Sequence, residues 1–193
     1  MNQVSQLTLY THEVKQSKFI AHLMPFSLYE ETLQTLKNEH PKARHFVVAF
    51  RYLNEFNQII EHSSDDGEPK GTSGKPTLFV LQGNQLINSA LIIVRYFGGT
   101  KLGTGGLVRA YSDASNEVII EAKLDEYKEL VRHNISFEYS SIRMVEYECL
   151  IHSIEIVEKT FEAKTMYRVK ATKNDMQQFL DKLQRVIEVY PLP

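Results

Sequence analysis

Hydrophobic and polar residues alternate in two arms of the N-terminal segment LTLYTHEVKQSKFIAHLMPF, on either side of Lys15 to Ser17. Alternation with a period of two is typical of half-buried β-strands, so the segment predicts a β-hairpin. Apolar residues then recur at helical spacing in LYEETLQTLKNEHP. This pattern predicts a helix that has Ser27 as its N-cap and ends before Pro41.

The middle of the chain predicts further strands and a long helix. HFVVAFRYL and QIIEHS predict two strands, and QLINSALIIVRYF is a strongly β-prone run. The short segment TLFVLQ fits a helix or a strand equally well. A helix is predicted from about Gly106 to Ala122. The residues expected on its buried side are Leu107, Ala110, Tyr111, Ala114, Val118 and Ala122.

The C-terminal part predicts, in order, a strand, a helix, two strands, a helix and a final strand. The segments are ISFEYS, SIRMVEYECLIH, IEIVEKTFEAKTMYRVKAT, NDMQQFLDKLQRV and IEVYP. This βαββα order, with its final strand, is that of a ferredoxin-like domain. The sequence therefore predicts an α+β protein with two domains, residues 1–130 and 131–193. The boundary rests on topology, because no linker rich in Pro, Gly or Ser separates the halves.

Charge and composition limit the classes of function. The 193 residues include 22 Lys and Arg against 24 Asp and Glu, which argues against a protein that coats nucleic acid through bulk electrostatics. No apolar run approaches the ~20 residues that span a bilayer, and no signal peptide is recognisable, so a cytoplasmic protein without a membrane partner is expected. The single cysteine, Cys149, has apolar neighbours at helical spacing, which predicts a buried thiol.

A glycine-rich stretch, RYFGGTKLGTGGLVRAY, runs from Arg95 to Tyr111. It contains five glycines within nine positions, three cations (Arg95, Lys101 and Arg109) and no acid. Glycines let backbone N–H groups turn toward an anion, and the following helix adds its unpaired first donors and positive dipole end. The same glycines, with Gly105 expected at positive φ, also fit a tight structural turn. Spacing alone leaves both interpretations open. The stretch does not match a dinucleotide fingerprint, because Val108 occupies the third glycine position. The other glycine–lysine pair, Gly74 and Lys75, is not a Walker A loop, because Pro76 stands where the hydroxyl residue is required.

A second cluster, DDGEPKGTSGKP, contains Asp65, Asp66 and Glu68. Three acids within four residues fit a divalent cation site. Acids among Gly and Pro also fit turns in which Asp side chains accept hydrogen bonds from downstream N–H groups. Arg95 is a candidate internal partner for Asp65 or Asp66. No histidine pair has metal-ligand spacing, so no metal or cofactor is predicted.

At this point two long motifs carry a resemblance to a known family. HSSDDGEPKGTSGKP followed by RYFGGTKLGTGGLVRAY resembles the paired signature of the YigZ/IMPACT family, and VKQSKFIAHLMP and ARHFVVAF lie where that family has matching segments. The resemblance implies an N-terminal domain with the left-handed βαβ fold of a small-subunit ribosomal protein and of domain four of elongation factor G. The C-terminal half resembles the ferredoxin-like domain of the bacterial branch, similar to domain five of that factor.

The resemblance also implies a functional surface. Its nucleic-acid or phosphate-binding residues are Lys70, Lys75, Arg95, Gly98, Gly99, Lys101, Gly103, Gly105, Gly106 and Arg109. Other motif residues on that surface are His45, Asp65, Asp66, Glu68, Gly71 and Gly74. His45 precedes an apolar run, so a hydrogen-bonded packing role is the alternative for it.

The implied function is a non-enzymatic module that binds RNA or the ribosome and is linked to translation regulation. Two alternatives stay open. One is a phosphate- or nucleotide-handling enzyme of the same fold superfamily, whose catalytic base would come from Asp65, Asp66 or Glu68. The other is a protein-interaction module. The sequence does not predict the oligomeric state.

Overall fold

A computed structural model describes residues 1–190, which form two compact units of mixed α and β structure. The first unit spans Met1–Tyr127, and the second begins at Lys128. Each unit has its own hydrophobic core. The predicted α+β fold class is confirmed. Within residues 1–190 no helix is long and apolar enough to cross a membrane.

The first unit, as far as it is described, consists of seven strands and three helices. The strands are β1 (Asn2–Val4), β2 (Thr8–Val14), β3 (Ser17–Pro25), β4 (His45–Leu53), β5 (Ile59–Ser64), β6 (Ser89–Tyr96) and β7 (Leu124–Glu126). The helices are α1 (Tyr29–Glu39), α2 (Gly74–Gly83) and α3 (Gly103–Glu121).

Five of these strands form one antiparallel sheet in the order β2-β3-β6-β4-β5, while β1 pairs with β7. The apolar strand β6 is central and is buried on both faces. Leu91 and Ile93 pack into the core beneath α2 and α3. Ile92 and Val94 point to the opposite face and pack with Leu36 of α1, as the two-residue period of a strand requires.

The predicted N-terminal hairpin is confirmed by the pairing of β2 with β3. Its turn residues Lys15 and Gln16 have φ values of 46° and 63°, the positive range of a two-residue hairpin turn. The glycine loop, residues 97–103 between β6 and the start of α3, packs directly on this turn. The N–H of Gly98 donates to Oγ of Ser17 at 3.0 Å, and a Cβ on Gly98 would lie 2.1 Å from the carbonyl carbon of Gln16.

Three local predictions need correction or completion. Ser27 is not an N-cap, because a 3-10 turn (Phe26–Leu28) precedes α1, whose first turn instead carries Glu30 and Glu31. TLFVLQ is helical and belongs to α2. Helix α3 begins at Gly103, earlier than the predicted Gly106. Its predicted buried side is confirmed, except that Ala122 lies just beyond the helix and is half-buried.

The second unit has the predicted strand and helix order. Its elements are β8 (Leu130–Phe137), α4 (Ile142–Ile151), β9 (Glu155–Phe161), β10 (Thr165–Thr172), α5 (Lys173–Leu183) and β11 (Glu188–Tyr190). The antiparallel sheet has the order β11-β8-β10-β9, which agrees with a ferredoxin-like domain. Cys149 is buried in the same core cluster as Tyr167 and Phe179, and burial raises the pKa of its thiol to about 11.

The packing of the glycine loop on the hairpin predicts opposite effects of alanine at two glycines. Gly98→Ala should destabilise the protein by about 1–3 kcal/mol, because the new Cβ overlaps backbone atoms of the hairpin turn. Gly105→Ala should stabilise it by up to about 1 kcal/mol, since this helical position has nothing within 4 Å of a Cβ. Urea unfolding followed by circular dichroism checks both variants, and equal effects would contradict the packing.

Candidate anion-binding site

The candidate site lies at one end of the five-stranded sheet, where β5 and β6 end and β4 begins. The antiparallel register places His45, at the start of β4, opposite Arg95 near the end of β6. Ser64, the last residue of β5, pairs with Val48 of the same β4 strand. The acidic loop, residues 65–73 between β5 and α2, therefore meets the glycine loop at this end of the sheet.

Arg95, Glu68 and Tyr111 form a buried polar cluster at the centre of the site. Nη1 of Arg95 donates to Oε1 of Glu68 at 2.6 Å, and the side chains are 8% and 3% exposed. The hydroxyl of Tyr111 donates to the same oxygen at 2.8 Å. Burial and the Glu68 carboxylate raise the pKa of Tyr111, which keeps its hydroxyl protonated as a donor. The suggested pairing of Arg95 with Asp65 or Asp66 is wrong, because those carboxylates bind other groups.

Asp65 organises the acidic loop as a turn residue. Oδ2 accepts the N–H of Gly71 at 2.7 Å, and Oδ1 accepts the N–H of Gly74 at 2.8 Å and the Oγ–H of Ser73 at 2.7 Å. Burial opposes its charge, but these hydrogen bonds together outweigh burial and lower the pKa of Asp65. Asp65 therefore satisfies the first backbone donor of α2, Gly74, and donors of the preceding turn, which favours the turn interpretation over a cation site.

Asp66 and His45 also make structural hydrogen bonds. Oδ2 of Asp66 accepts the N–H of Phe46 at 2.6 Å. The carbonyl oxygen of Asp66 lies 2.8 Å from Nδ1 of His45. A carbonyl can only accept, so Nδ1 carries the proton and Nε2 is the ring nitrogen left for other contacts. Among the described residues no group of three or more His, Cys, Asp or Glu side chains is arranged to hold a metal ion.

A cavity of about 690 Å³ opens beside the buried cluster. It brings together five residues of the predicted surface: His45, Glu68, Arg95, Lys101 and Gly103. It also includes residues that the sequence interpretation did not assign to the site: Lys42, Arg44, Pro69, Tyr96, Phe97, Leu102, Thr104 and Leu107. The walls are largely apolar, and the exposed cations belong to the mouth.

The mouth of the cavity is positively charged. Lys42, Arg44 and Lys101 are exposed, and within residues 1–190 none of them forms a salt bridge. Among the described residues that line the cavity, the one acid is Glu68, and Arg95 neutralises its charge. Unpaired cations around a concave, partly apolar surface concentrate anions there.

The N-terminus of α3 adds backbone donors to the same cavity. Gly103 and Thr104, its first two residues, line the cavity. In the described structure this helix has no side-chain cap hydrogen bond and no acid in its first turn, in contrast to α2, where Asp65 binds the first donors. The unpaired N–H groups and the positive end of the helix dipole favour an anion at this position.

Other cations of the predicted surface lie outside the cavity. Arg109 lines a smaller depression of about 180 Å³ together with Lys15. Lys75 lines a third depression of about 360 Å³ beside the exposed ring of Phe79. Lys70 is exposed in the acidic loop. The structure therefore brings Lys101 and Arg95 to one cavity with the first donors of α3, whereas Arg109 faces a different depression.

The glycines of the loop have separate structural roles. Gly99 and Gly103 have φ values of 86° and 73°, a conformation that other residues rarely adopt. The expectation of positive φ at Gly105 is wrong, because Gly105 lies within α3. Gly106 also lies in α3, where a Cβ would be 3.1 Å from Cβ of Leu102. At the start of α2, Gly74 is in close contact with the backbone of Ser64.

Three residues of the cavity that the sequence interpretation did not assign lie close to motif residues along the chain. Lys42 and Arg44 lie within three residues of His45 in the loop that leads into β4, and Phe97 directly precedes the first glycine pair. Their shared location depends on the pairing of β4 with β6. That pairing is not readable from local periodicity.

Comparisons with known proteins agree with the resemblance in the motifs. A family model described as the Impact N-terminal domain matches residues 15–119. The "IMPACT family member" of Haemophilus influenzae is 33% identical over 180 residues, which cover 91% of this chain and 86% of that protein. The "IMPACT family member YigZ" of Escherichia coli is 32% identical over 176 residues, which cover 89% and 85%.

Two further comparisons extend this similarity. The "IMPACT family member YvyE" of Bacillus subtilis is 37% identical over 142 residues, which cover 71% of this chain and 64% of that protein. A solved structure described as the crystal structure of a hypothetical protein superposes with a TM-score of 0.70 at 27% identity. The superposition covers 100% of this chain and 97% of that one, so the fold extends through both units.

The buried ion pair predicts a large effect of removing its negative charge. Glu68→Gln should lower the free energy of unfolding by about 3 kcal/mol, because it leaves the Arg95 guanidinium buried without a counter-charge. The matched control is Glu13→Gln, which breaks the exposed Lys18–Glu13 pair at 3.1 Å and should cost less than about 1 kcal/mol. Urea unfolding measures both, and similar losses would refute a central role for the buried pair.

The hydrogen bonds to Asp65 predict a specific acid dependence. A carboxylate with a lowered pKa stabilises the fold above its unfolded-state pKa of about 4 and loses this contribution as pH falls through the folded value. The stability difference between the native protein and Asp65→Asn should therefore be largest near neutral pH and shrink below about pH 4. Unfolding measured from pH 7 to pH 3 checks this. A difference that stayed constant with pH would contradict the charged role of Asp65.

Proposed function

Since this chain belongs to the IMPACT family, we propose that it is a non-enzymatic module that binds structured RNA or the ribosome in the cytoplasm. A link to translation regulation is part of this proposal. The observation that carries it is the cavity at the N-terminus of α3, where unpaired cations and unpaired backbone donors converge. In this proposal, binding belongs to the domain predicted over residues 1–130.

The electrostatics of the site favour phosphate groups. Lys42, Arg44 and Lys101 supply exposed positive charge, and α3 supplies N–H groups and the positive end of its dipole. The net charge of the chain is only −2, so attraction of a polyanion must be local to such a surface. The depressions that contain Arg109 and Lys75 provide further cations for the backbone of a longer RNA.

The polar contacts of the site also bear on the enzymatic alternative. An enzyme that handles phosphates would need a catalytic base, and Asp65, Asp66 and Glu68 were the candidates. Each of these carboxylates accepts internal hydrogen bonds from main-chain or side-chain donors. Their arrangement supports roles in building the loop, and supports a binding function over catalysis.

Replacing the cations of the cavity mouth should weaken RNA binding regardless of RNA sequence. We expect Lys101→Ala and Arg44→Ala each to lower affinity, and each lost phosphate contact to reduce the slope of log K against log salt by about 0.7 to 0.9. The matched control is Lys123→Ala, which removes the same charge from an exposed residue beyond the end of α3. Titration of a structured RNA at several salt concentrations measures all three variants.

Two results would contradict the proposal in different ways. If the double variant Lys101→Ala/Arg44→Ala bound RNA as tightly as the native protein, with unchanged thermal unfolding, the cavity mouth would not be the binding surface. If the purified protein hydrolysed nucleotides with Mg²⁺ and lost that turnover on Asp65→Asn or Asp66→Asn, the enzymatic alternative would replace the binding module.

A further inference from the structure

We infer that the cavity binds a single phosphorylated nucleoside, with the phosphate at the N-terminus of α3 and the base against Phe97. This inference rests on the proposed function and makes it specific, because a general RNA-binding surface contacts phosphates and needs no pocket for one nucleotide. The ligand is either a free nucleotide or one unit of an RNA, such as a phosphorylated end or a nucleotide turned out of a helix.

The size and chemistry of the cavity fit a ligand with one polar and one apolar part. Its volume of about 690 Å³ lies within the range of about 300 to 1,000 Å³ typical of small-molecule sites. A phosphate on its own would use only the charged mouth. The apolar wall formed by Pro69, Leu102 and Leu107 would then have no role in binding.

The phosphate position follows from the donors. Gly103 and Thr104 begin α3, and Lys101 precedes them in the same loop. The first N–H groups of a helix have no partners within the helix, and with the adjacent ammonium group they form a site for a doubly charged phosphate. Lys42 and Arg44 approach the same cavity from the loop before β4.

The base position follows from Phe97. This ring lines the cavity and is 56% exposed, although it lies within a motif and adjoins a buried strand. The guanidinium of Arg95 packs over the ring, and its Cζ lies 5.8 Å from the ring centroid. A ring held in this way and still exposed is a stacking surface for a nucleobase.

A second feature of Arg95 points to a ligand at the same place. Its side chain is 8% exposed, it lines the cavity, and its Nε–H has no hydrogen-bond acceptor among residues 1–190. Buried donors in native proteins are nearly always paired. This nitrogen is enclosed by protein atoms, so a ligand acceptor would reach it through a small shift of the guanidinium toward the cavity. An aromatic ring beside an anion site favours a nucleotide over an acidic peptide, whose carboxylates would leave Phe97 unused.

The test uses calorimetric titrations of the full chain with AMP, CMP, GMP, UMP, adenosine and inorganic phosphate. It also uses one RNA hairpin prepared with and without a 5′-phosphate. We expect at least one nucleoside monophosphate to bind measurably, and adenosine, which lacks the phosphate, not to bind. If RNA supplies the nucleotide at its end, the phosphorylated hairpin should bind at least about tenfold more tightly than the unphosphorylated one.

Variants separate the two halves of the site. Thr104→Asp places a carboxylate in the first turn of α3, which should preserve or raise the melting temperature while weakening phosphate and nucleotide binding by about tenfold or more. Phe97→Leu should lower the selectivity for the nucleotide over inorganic phosphate by about tenfold, and Phe97→Trp should restore it. Lys123→Ala again serves as the charge control.

Each outcome decides one question. Failure of every monophosphate to bind, with both hairpins bound equally and Phe97→Leu without effect on them, overturns the nucleotide pocket and leaves RNA binding intact. Binding of a free monophosphate without binding of any RNA supports the pocket and overturns the proposed RNA function. Binding of acidic peptides with loss in the Thr104→Asp variant, and no binding of nucleotides, assigns the cavity to a protein partner and overturns the inference.

Discussion

The ion pair between Arg95 and Glu68 is the interaction on which the site depends. It joins the end of the central strand β6 to the acidic loop, and the hydroxyl of Tyr111 adds helix α3 to the same carboxylate. A buried ion pair is tolerated only when its geometry and remaining hydrogen bonds compensate for lost solvation. Displacing the strand or the acidic loop would leave a buried charge unpaired, and displacing α3 would remove the hydroxyl that donates to Glu68. The ion pair together with Tyr111 therefore links the acidic loop, the strand and α3.

The internal pairing of the acidic side chains near the site explains how a chain with a small negative net charge presents a positive cavity. The acidic side chains of the motif accept internal hydrogen bonds: Asp65 from the N–H of Gly74, Asp66 from the N–H of Phe46, and Glu68 from Arg95. The cations Lys42 and Lys101 stay exposed and have no salt bridge within residues 1–190. In the second unit, by comparison, four cations in or beside the sheet are paired with glutamates: Lys159, Lys164, Arg168 and Lys170. Local charge, rather than net charge, therefore determines which surface attracts anions.

The sequence predicted those features that depend on residues close together along the chain. The hairpin around Lys15, the buried side of α3 and the order of elements in the second unit follow from local periodicity, and all are present. The site was less predictable, because its contacts depend on strand register. Glu68 was indistinguishable by pattern from Asp65 as a partner of Arg95, and the contribution of Arg44 requires the pairing of β4 with β6. Positive φ was assigned to Gly105, whereas the helix begins two residues earlier and places it inside the first turn.

The two interpretations that the glycine loop left open are compatible in this structure. Gly98 is required for packing, since it touches the hairpin turn, and Gly103 is required for its positive φ. These are the properties of a tight structural turn. That turn leads the chain into α3 so that its first two residues line the cavity, and Gly105 in the same helical turn adds no side chain beside them. Close packing on one side of the loop thus produces accessible backbone donors on the other, so evidence for a structural role of these glycines does not count against anion binding.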